Sequence, residues 1–188
     1  IPLRLVGSEM CIRDRAQDAL IRAVAEVPEL DAWLVGDGPN LVAMQQLAVQ
    51  QGLQDRVVFL GRRSDVPELM AQADIFALIS DYEGFPISTL EAMRAGLPTI
   101  VSDVGGAGEA VLHGITGYVV GREDHPSLVK ILRQLATDPV RRKLMGEASR
   151  ARFLSRYTSD VMIQEVWKVY HSVLLENQSP RKSSKVSQ

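Results

Sequence analysis

The sequence predicts an α/β fold in which a parallel sheet carries helices on both faces. Short apolar runs alternate along the chain with longer stretches whose apolar residues recur at helical spacing, and glycine, proline or aspartate marks most joins. Strands that are apolar throughout are buried on both sides, and strands separated by helices return in parallel.

From residue 16 each element can be justified in turn. AQDALIRAVAEVPEL has apolar residues at 16, 19, 20, 23, 24 and 27, a helical stripe ended by Pro28. A buried strand over 31–35 comes next and closes on the turn GDGP. LVAMQQLAVQQ is a helix running to Gly52, a residue free to take the positive φ favoured past a helix end. RVVFLG is the next strand, SDVPELMAQA a short helix, and DIFALIS the strand after it. The helix ISTLEAMRA stops at Gly96, with Pro98 two residues on, and leads into the strand PTIVSD. Four strands are thus expected.

Beyond TGYVV the chain is helical. HPSLVKILRQLAT and DPVRRKLMGEASRARF each open with a proline in the first turn, where its missing amide does no harm. SDVMIQEVWKVYHSVLLE carries an apolar stripe at 162, 166, 169, 170, 173 and 174, with Ser159 or Asp160 as its cap. Trp167 and Tyr170 read as packing residues.

Residues 1–15 read differently. VGSEMCIRDR resembles a peptide that recurs when sequencing-adapter read-through is translated, and it shares no periodicity with the chain from residue 16 onward. Residues 1–15 are therefore read as a non-native segment, with a genuine first strand, LRLVG, as the alternative. The domain proper is 16–175, and 176–188 is expected to be a disordered tail because it is polar and basic.

Composition narrows the function. With 188 residues, 46% hydrophobic and 23% charged, the chain can bury on the order of 70% of its unfolded surface. A net charge of -2 argues against nucleic acid as a partner, since phosphate binding needs a surplus of Lys and Arg. Cys11 is the only cysteine, which rules out a disulfide framework within the chain and suits a reducing cytoplasm. No apolar run approaches the roughly 20 residues of a membrane span. His113, His125 and His171 are scattered and read as surface or helix-end histidines; with no Asp-x-Asp pair and no His-Glu-x-x-His helix, no metal is expected.

In a parallel sheet, ligands bind at the carboxyl ends of the strands. The loops after Val35, Leu60, Ser80 and Val101 therefore matter most, and that after Ser80 is the richest. The helix beginning at Ile87 should leave first-turn amides unpaired, a site suited to phosphate. Glu83 precedes that helix, and Glu91 lies one turn inside it. A carboxylate about 5 Å from a diphosphate charge would be repelled by roughly 3 kcal/mol at an effective dielectric near 20. Both acids should face hydroxyls, so a ligand with a phosphate centre and polyol ends fits. A solvated loop acid at Glu83 and a helix-dipole acid at Glu91 explain the same spacing equally well.

EGFPISTLEAMRAGLPTIVSDVGGAGEAVLHGITGYVV resembles the donor-binding segment of the retaining GT-B glycosyltransferases of glycosyltransferase family 4, or glycosyl transferases group 1. It has the E-x7-E pattern, A-G-x-P-x-I-x-S-D, a G-G pair and a T-G-x-x-V ending. LVGDGP and VVFLGRRSDVPELMAQADIFALIS match further segments in the expected order. The resemblance implies a Rossmann-like sheet forming the C-terminal half of a GT-B fold, followed by helices. It implies a nucleoside-diphosphate sugar as substrate, with no cofactor and no metal. Glu83, in the catalytic place, would bind hydroxyls of the transferred sugar, and Glu91 those of the ribose. Gly84, with the amides around Phe85, Ile87 and Ser88, would hold the β-phosphate and sugar, while Gly61 and Arg62 would edge the base. Pro86 departs from the glycine of many members and removes one amide donor.

Two family features are missing. The basic pair that grips the diphosphate, in a G-R-x-x-x-x-K-G-like loop after the first strand, is replaced by VGSEMCIRDR, and Arg13 and Arg15 do not match its spacing. Two lost charge-assisted contacts would cost roughly 3 to 6 kcal/mol, a hundredfold or greater loss of donor affinity. The N-terminal acceptor-binding domain is not encoded either. The expectation is a truncated, cytoplasmic donor-binding fragment that transfers no sugar alone. In the family a terminal helix like the last one here crosses back to that domain; its exposed face invites self-association of the fragment, and the full-length enzyme would be peripheral to a membrane. The alternatives are a non-catalytic nucleotide-binding or interaction module, a GT-B nucleotide-sugar epimerase, and a nicotinamide dehydrogenase, for which GDGPNL has two of three fingerprint glycines.

Overall fold

The computed structural model describes residues 3–8 and 16–178. In chain order the elements are β1 (Leu3–Ser8), α1 (Gln17–Ala25), β2 (Leu30–Val35), α2 (Leu41–Gln50), β3 (Val57–Gly61), α3 (Val66–Ala71) and β4 (Ile75–Leu78). After these come α4 (Ile87–Ala95), β5 (Thr99–Ser102), α5 (Ala107–Ala110), β6 (Gly117–Val120), α6 (His125–Thr137), α7 (Pro139–Arg156) and α8 (Ser159–Gln178). The strands form one sheet in the order β3-β2-β1-β4-β5-β6, and every neighbouring pair is parallel.

The core follows from alternation along the strands. In β4, Ile75 and Ala77 enter one apolar cluster with α1, α2 and α6, while Phe76 and Leu78 enter a second with residues of α3, α4 and α5. Helices thus cover both faces, as expected. Arg56 closes the first layer from the side: its Nη2 donates to the carbonyls of Val24, Val27 and Leu30 at 3.0, 2.6 and 2.6 Å.

Among the described residues there are six strands where four were expected. Leu3–Ser8 sits at the centre of the sheet, paired with β2 on one side and β4 on the other. Arg4 and Asp74 tie its start to β4, through Arg4 N to Asp74 Oδ2 at 3.0 Å and Asp74 N to Arg4 O at 2.9 Å. The other added strand, β6, is four residues long and begins with glycine, too short to announce itself by periodicity. Tertiary pairing makes it a strand: a Cβ on Gly117 would lie 1.9 Å from the carbonyl oxygen of Thr99 on β5, so only glycine permits the approach.

Of the adapter-like VGSEMCIRDR, residues 9–15, with Cys11, Arg13 and Arg15, lie outside the described residues, as does the part of the expected tail beyond 178. Trp167 and Tyr170 lie on the apolar face of α8 that is expected to be exposed. They are 71% and 61% exposed, because the principal neighbour of α8 in the fold is α7 and no described element covers its apolar face.

Candidate functional site

The order of the strands places the site. Connections run outward from β1 in one direction and from β4 in the other, so the crevice at the carboxyl ends of β1 and β4 is the topological switch point where such sheets bind ligands. The loop from Ser80 to Pro86 leaves β4 there.

That loop is held in four ways. Ser80 is buried; its amide donates to Ser102 Oγ at 3.0 Å, and its hydroxyl donates to Glu83 Oε1 at 2.9 Å. Gly106 N donates to Gly84 O at 2.7 Å, joining the β5–α5 loop to the β4–α4 loop. Gly105 has φ +50, and a Cβ there would lie 1.7 Å from the carbonyl oxygen of Glu83. Phe85 is pinned from outside by Tyr157, with ring centroids 6.0 Å apart.

α4 starts from an extended Pro86 with no side-chain cap and ends at Gly96, φ 79, in the left-handed conformation. Thr89 N donates to Pro86 O at 3.2 Å, which leaves the amides of Ile87 and Ser88 at the helix mouth, where the dipole favours an anion. Ser88 can contribute only its amide, because its hydroxyl is buried and has no partner among the described residues. Ile87 and Glu91 are exposed and four residues apart, so they share the solvent face of the first turns, while Ala92 and Met93 point into the core.

Glu83, Gly84, Phe85, Ile87, Ser88 and Glu91 are therefore gathered at one loop-to-helix junction. Gly61 and Arg62 are not. They end β3, three strand spacings or about 14 Å across the sheet from β4. Gly61 has φ +63 and accepts from Gly36 N at 2.8 Å, so the GDGP turn and the β3–α3 loop form one rim. Arg62 is exposed and lies 3.6 Å from Asp37 on that rim.

Sequence reasoning missed Ser80 and Ser102, and it gave the Gly105-Gly106 pair no role. The glycine pair was the available signal; a serine at a strand end is too common to be one. A cavity of about 320 Å³ opens beside the site, at the ends of β4, β5 and β6, lined in part by Ser80, Ser102, Asp81 and Arg122. Arg122 pairs with Asp81 at 3.4 Å. None of the sequence-predicted site residues lines this cavity; it meets the site at Ser80.

Residues 12–152 match the family described as Glycosyl transferases group 1. N-acetyl-alpha-D-glucosaminyl L-malate synthase of Bacillus anthracis is 35% identical over 167 residues, covering 88% of this chain and 44% of that protein. A GDP-mannose-dependent alpha-(1-6)-phosphatidylinositol monomannoside mannosyltransferase of Mycolicibacterium smegmatis is 37% identical over 149 residues, covering 72% of this chain and 39% of that protein. Among solved structures, Anabaena HepE in complex with UDP superposes with a TM-score of 0.86 at 28% identity, over 91% of this chain and 49% of that one. The chain spans about half the length of the relatives it matches.

Proposed function

Because this chain belongs to the glycosyl transferases group 1 family, we propose that it is the donor-binding half of a retaining glycosyltransferase, moving a sugar from a nucleoside-diphosphate sugar to an acceptor. The observation that carries the reading is the junction at α4. An acid held by Ser80 and an acid one turn into the helix flank a helix start whose amides are uncapped by any side chain.

Charge puts the acids on hydroxyls and the amides on phosphate, and the family resemblance divides the hydroxyls between sugar and ribose. The amides of Ile87 and Ser88 take the β-phosphate and offset the negative charge that grows on it as the sugar leaves, so the reaction needs no metal. Glu83 accepts from hydroxyls of the transferred sugar and Glu91 from those of the ribose, while Gly61 and Arg62 edge the base. HepE, a structural relative, has been solved with UDP and with UDP-glucose, which supports a nucleotide sugar as the ligand. The acceptor and its binding surface belong to a second domain, so this chain transfers no sugar alone. A cytoplasmic location and a full-length enzyme peripheral to a membrane are parts of the same proposal.

Calorimetry with UDP, GDP, ADP and their sugars tests it. One ligand series should bind weakly, should bind equally well in the presence of a chelator, and should lose its binding in Glu91→Ala. Silence from all of them at millimolar concentration would sink the donor-site reading. Glycosyl transfer by the chain alone would overturn the need for a second domain, and conversion of the donor sugar without an acceptor would make the protein an epimerase.

A further inference from the structure

α7 meets the chain just before α4 and again just after it. Past the end of α4, a Cβ on Gly146 would stand 2.1 Å from the carbonyl oxygen of Gly96, so the two backbones lie flush there. Ahead of α4, the ring of Tyr157 is tilted by 43° to that of Phe85, with centroids 6.0 Å apart. Residues 85 and 96 on one segment and 146 and 157 on the other are both eleven apart, about 16 Å of rise along α7, so one rod backs the whole of α4.

α5 reaches the same ring. A Cβ on Gly106, its N-cap, would lie 3.3 Å from Phe85 Cδ2. With only four residues, α5 is too short to hold itself, and its last carbonyls need donors from elsewhere. Arg152 serves them: Nε donates to Ala110 O at 2.7 Å and Nη2 to Glu109 O at 3.0 Å. The same guanidinium stands 5.8 Å from the centre of the Tyr157 ring. It also donates to the Tyr157 hydroxyl at 3.4 Å, which donates in turn to Glu109 O at 3.4 Å. Both side chains are partly buried at the last turn of α7.

We propose that the last turn of α7 is a clamp on the α4 junction, in which Tyr157 is a positioning residue that acts through Phe85, and Arg152 ties Tyr157 to α5. The proposal rests on the donor-site reading given above and adds the source of order at the helix start. Phe85 is flanked by Gly84, which has no side chain to anchor the loop, and by Pro86, whose fixed φ carries the direction of the chain into α4. Fixing the Phe85 ring therefore fixes the amides of Ile87 and Ser88, two and three residues on. Tilted rings attract beyond their burial, and a guanidinium over a ring adds to the hold. The ring of Tyr157 is the working part, because both hydrogen bonds of its hydroxyl are long.

Hydrogen–deuterium exchange of the 188-residue chain without nucleotide reads the clamp itself, and calorimetry with UDP, GDP and ADP reads its effect on binding. In Tyr157→Ala the amides of residues 84–89 should exchange about threefold to tenfold faster, the range a ring pair contributes, while those of β2 and β3 keep the parent's rates. Arg152→Ala should speed exchange over 106–111 as well. Affinity for whichever of the three nucleotides the parent binds should fall by a similar factor in Tyr157→Ala, and Tyr157→Phe should recover both readouts because it keeps the ring. If Tyr157 acts through Phe85, Phe85→Ala combined with Tyr157→Ala should bind no more weakly than Phe85→Ala alone. Parent-like exchange over 84–89 in Tyr157→Ala or over 106–111 in Arg152→Ala would overturn the proposal. So would acceleration spread through the whole sheet, a Tyr157→Phe variant no better than Tyr157→Ala, or additive losses in the double variant. A parent that binds none of the three nucleotides counts against the donor-site reading alone, and the exchange rates then still decide whether the clamp exists.

Discussion

Gly105→Ala is the substitution that most directly tests how the site is held. A methyl group at this position would stand 1.7 Å from the carbonyl oxygen of Glu83 and 2.9 Å from its carbon. Both are backbone atoms, so no rotamer change relieves the overlap. The β4–α4 and β5–α5 loops would have to part, and the Gly106 N to Gly84 O bond at 2.7 Å would go with them. Gly105 also has φ +50, where a side chain costs about 1 kcal/mol by itself. Adding about 1 kcal/mol for the bond and a similar amount for the displaced loop gives a loss of about 2–4 kcal/mol. In a chain of this size that is a fall in Tm of about 5–15 °C. Gly114→Ala is the control, because Gly114 has φ +78 but nothing within 4 Å of a built Cβ. It should lose only the conformational part, about 1 kcal/mol or about 2–4 °C. Donor affinity, read by calorimetry, should fall more than tenfold in Gly105→Ala and stay unchanged in Gly114→Ala. Equal melting temperatures for the two variants would refute the claim that the glycine is required by contact with Glu83.

Ser80→Ala removes the donor to Glu83 Oε1; donor affinity should fall about tenfold with a stability change below about 1 kcal/mol, and Ser80→Thr should recover part of the binding. Unchanged affinity in the alanine variant would show that Ser80 does not position the acid. Arg56→Ala removes the guanidinium that serves the carbonyls of Val24, Val27 and Leu30, and should cost about 2–3 kcal/mol in denaturant unfolding, whereas Arg56→Lys should restore only part because a point charge cannot span three acceptors; a wild-type midpoint for the alanine variant would contradict this. At Asp124 the hydroxyl and amide of Ser127 hold the carboxyl below the usual aspartate range. A depressed folded value means that the cap stabilises α6 fully above the unfolded value of about 3.9 and is lost as pH falls through the folded one. Tm plotted against pH should therefore drop less steeply below about pH 4 in Asp124→Asn than in the parent, and superimposable curves would remove Asp124 from the acid response.

What was legible in the sequence is what short-range physics decides. α4 could be bounded from Ile87 to Gly96 because a proline before it and a left-handed glycine after it are local necessities. The placement of Glu83 and Glu91 on either side of that helix start followed from counting residues. The two edge-to-centre facts did not. β6 is a strand because β5 lies beside it, and the central place of Leu3–Ser8 is set by pairing with strands 27 and 70 residues away in sequence. The grip of Ser80 on Glu83 could not be read either, since nothing in a linear sequence distinguishes a serine aimed at an acid from one aimed at water. On α8 the sequence pattern was legible: an apolar stripe marks a surface that needs covering, and Trp167 at 71% exposure shows that no described element covers it.

The way the α4 junction is built separates loss of binding from loss of fold. Its frame is made of backbone: a glycine pair set against a carbonyl, a bond from Gly106 to Gly84, and a serine anchored to Ser102 on the next strand. In the resembled family the basic pair stands elsewhere, in the loop after the first strand. Replacing that pair removes charge from the ligand and leaves the contacts of Gly105, Gly106 and Ser80 as they are. A chain altered only there should melt like its intact counterpart and bind donor more weakly, whereas one altered at Gly105 should lose both together. Restoring an arginine and a lysine at family spacing in the loop should strengthen donor binding a hundredfold or more with little change in Tm, since two charge-assisted contacts are worth roughly 3 to 6 kcal/mol to the complex and nothing to the free protein. If Tm rose in step with affinity in the absence of ligand, the loop would be part of the frame, and this separation of fold from binding would fail.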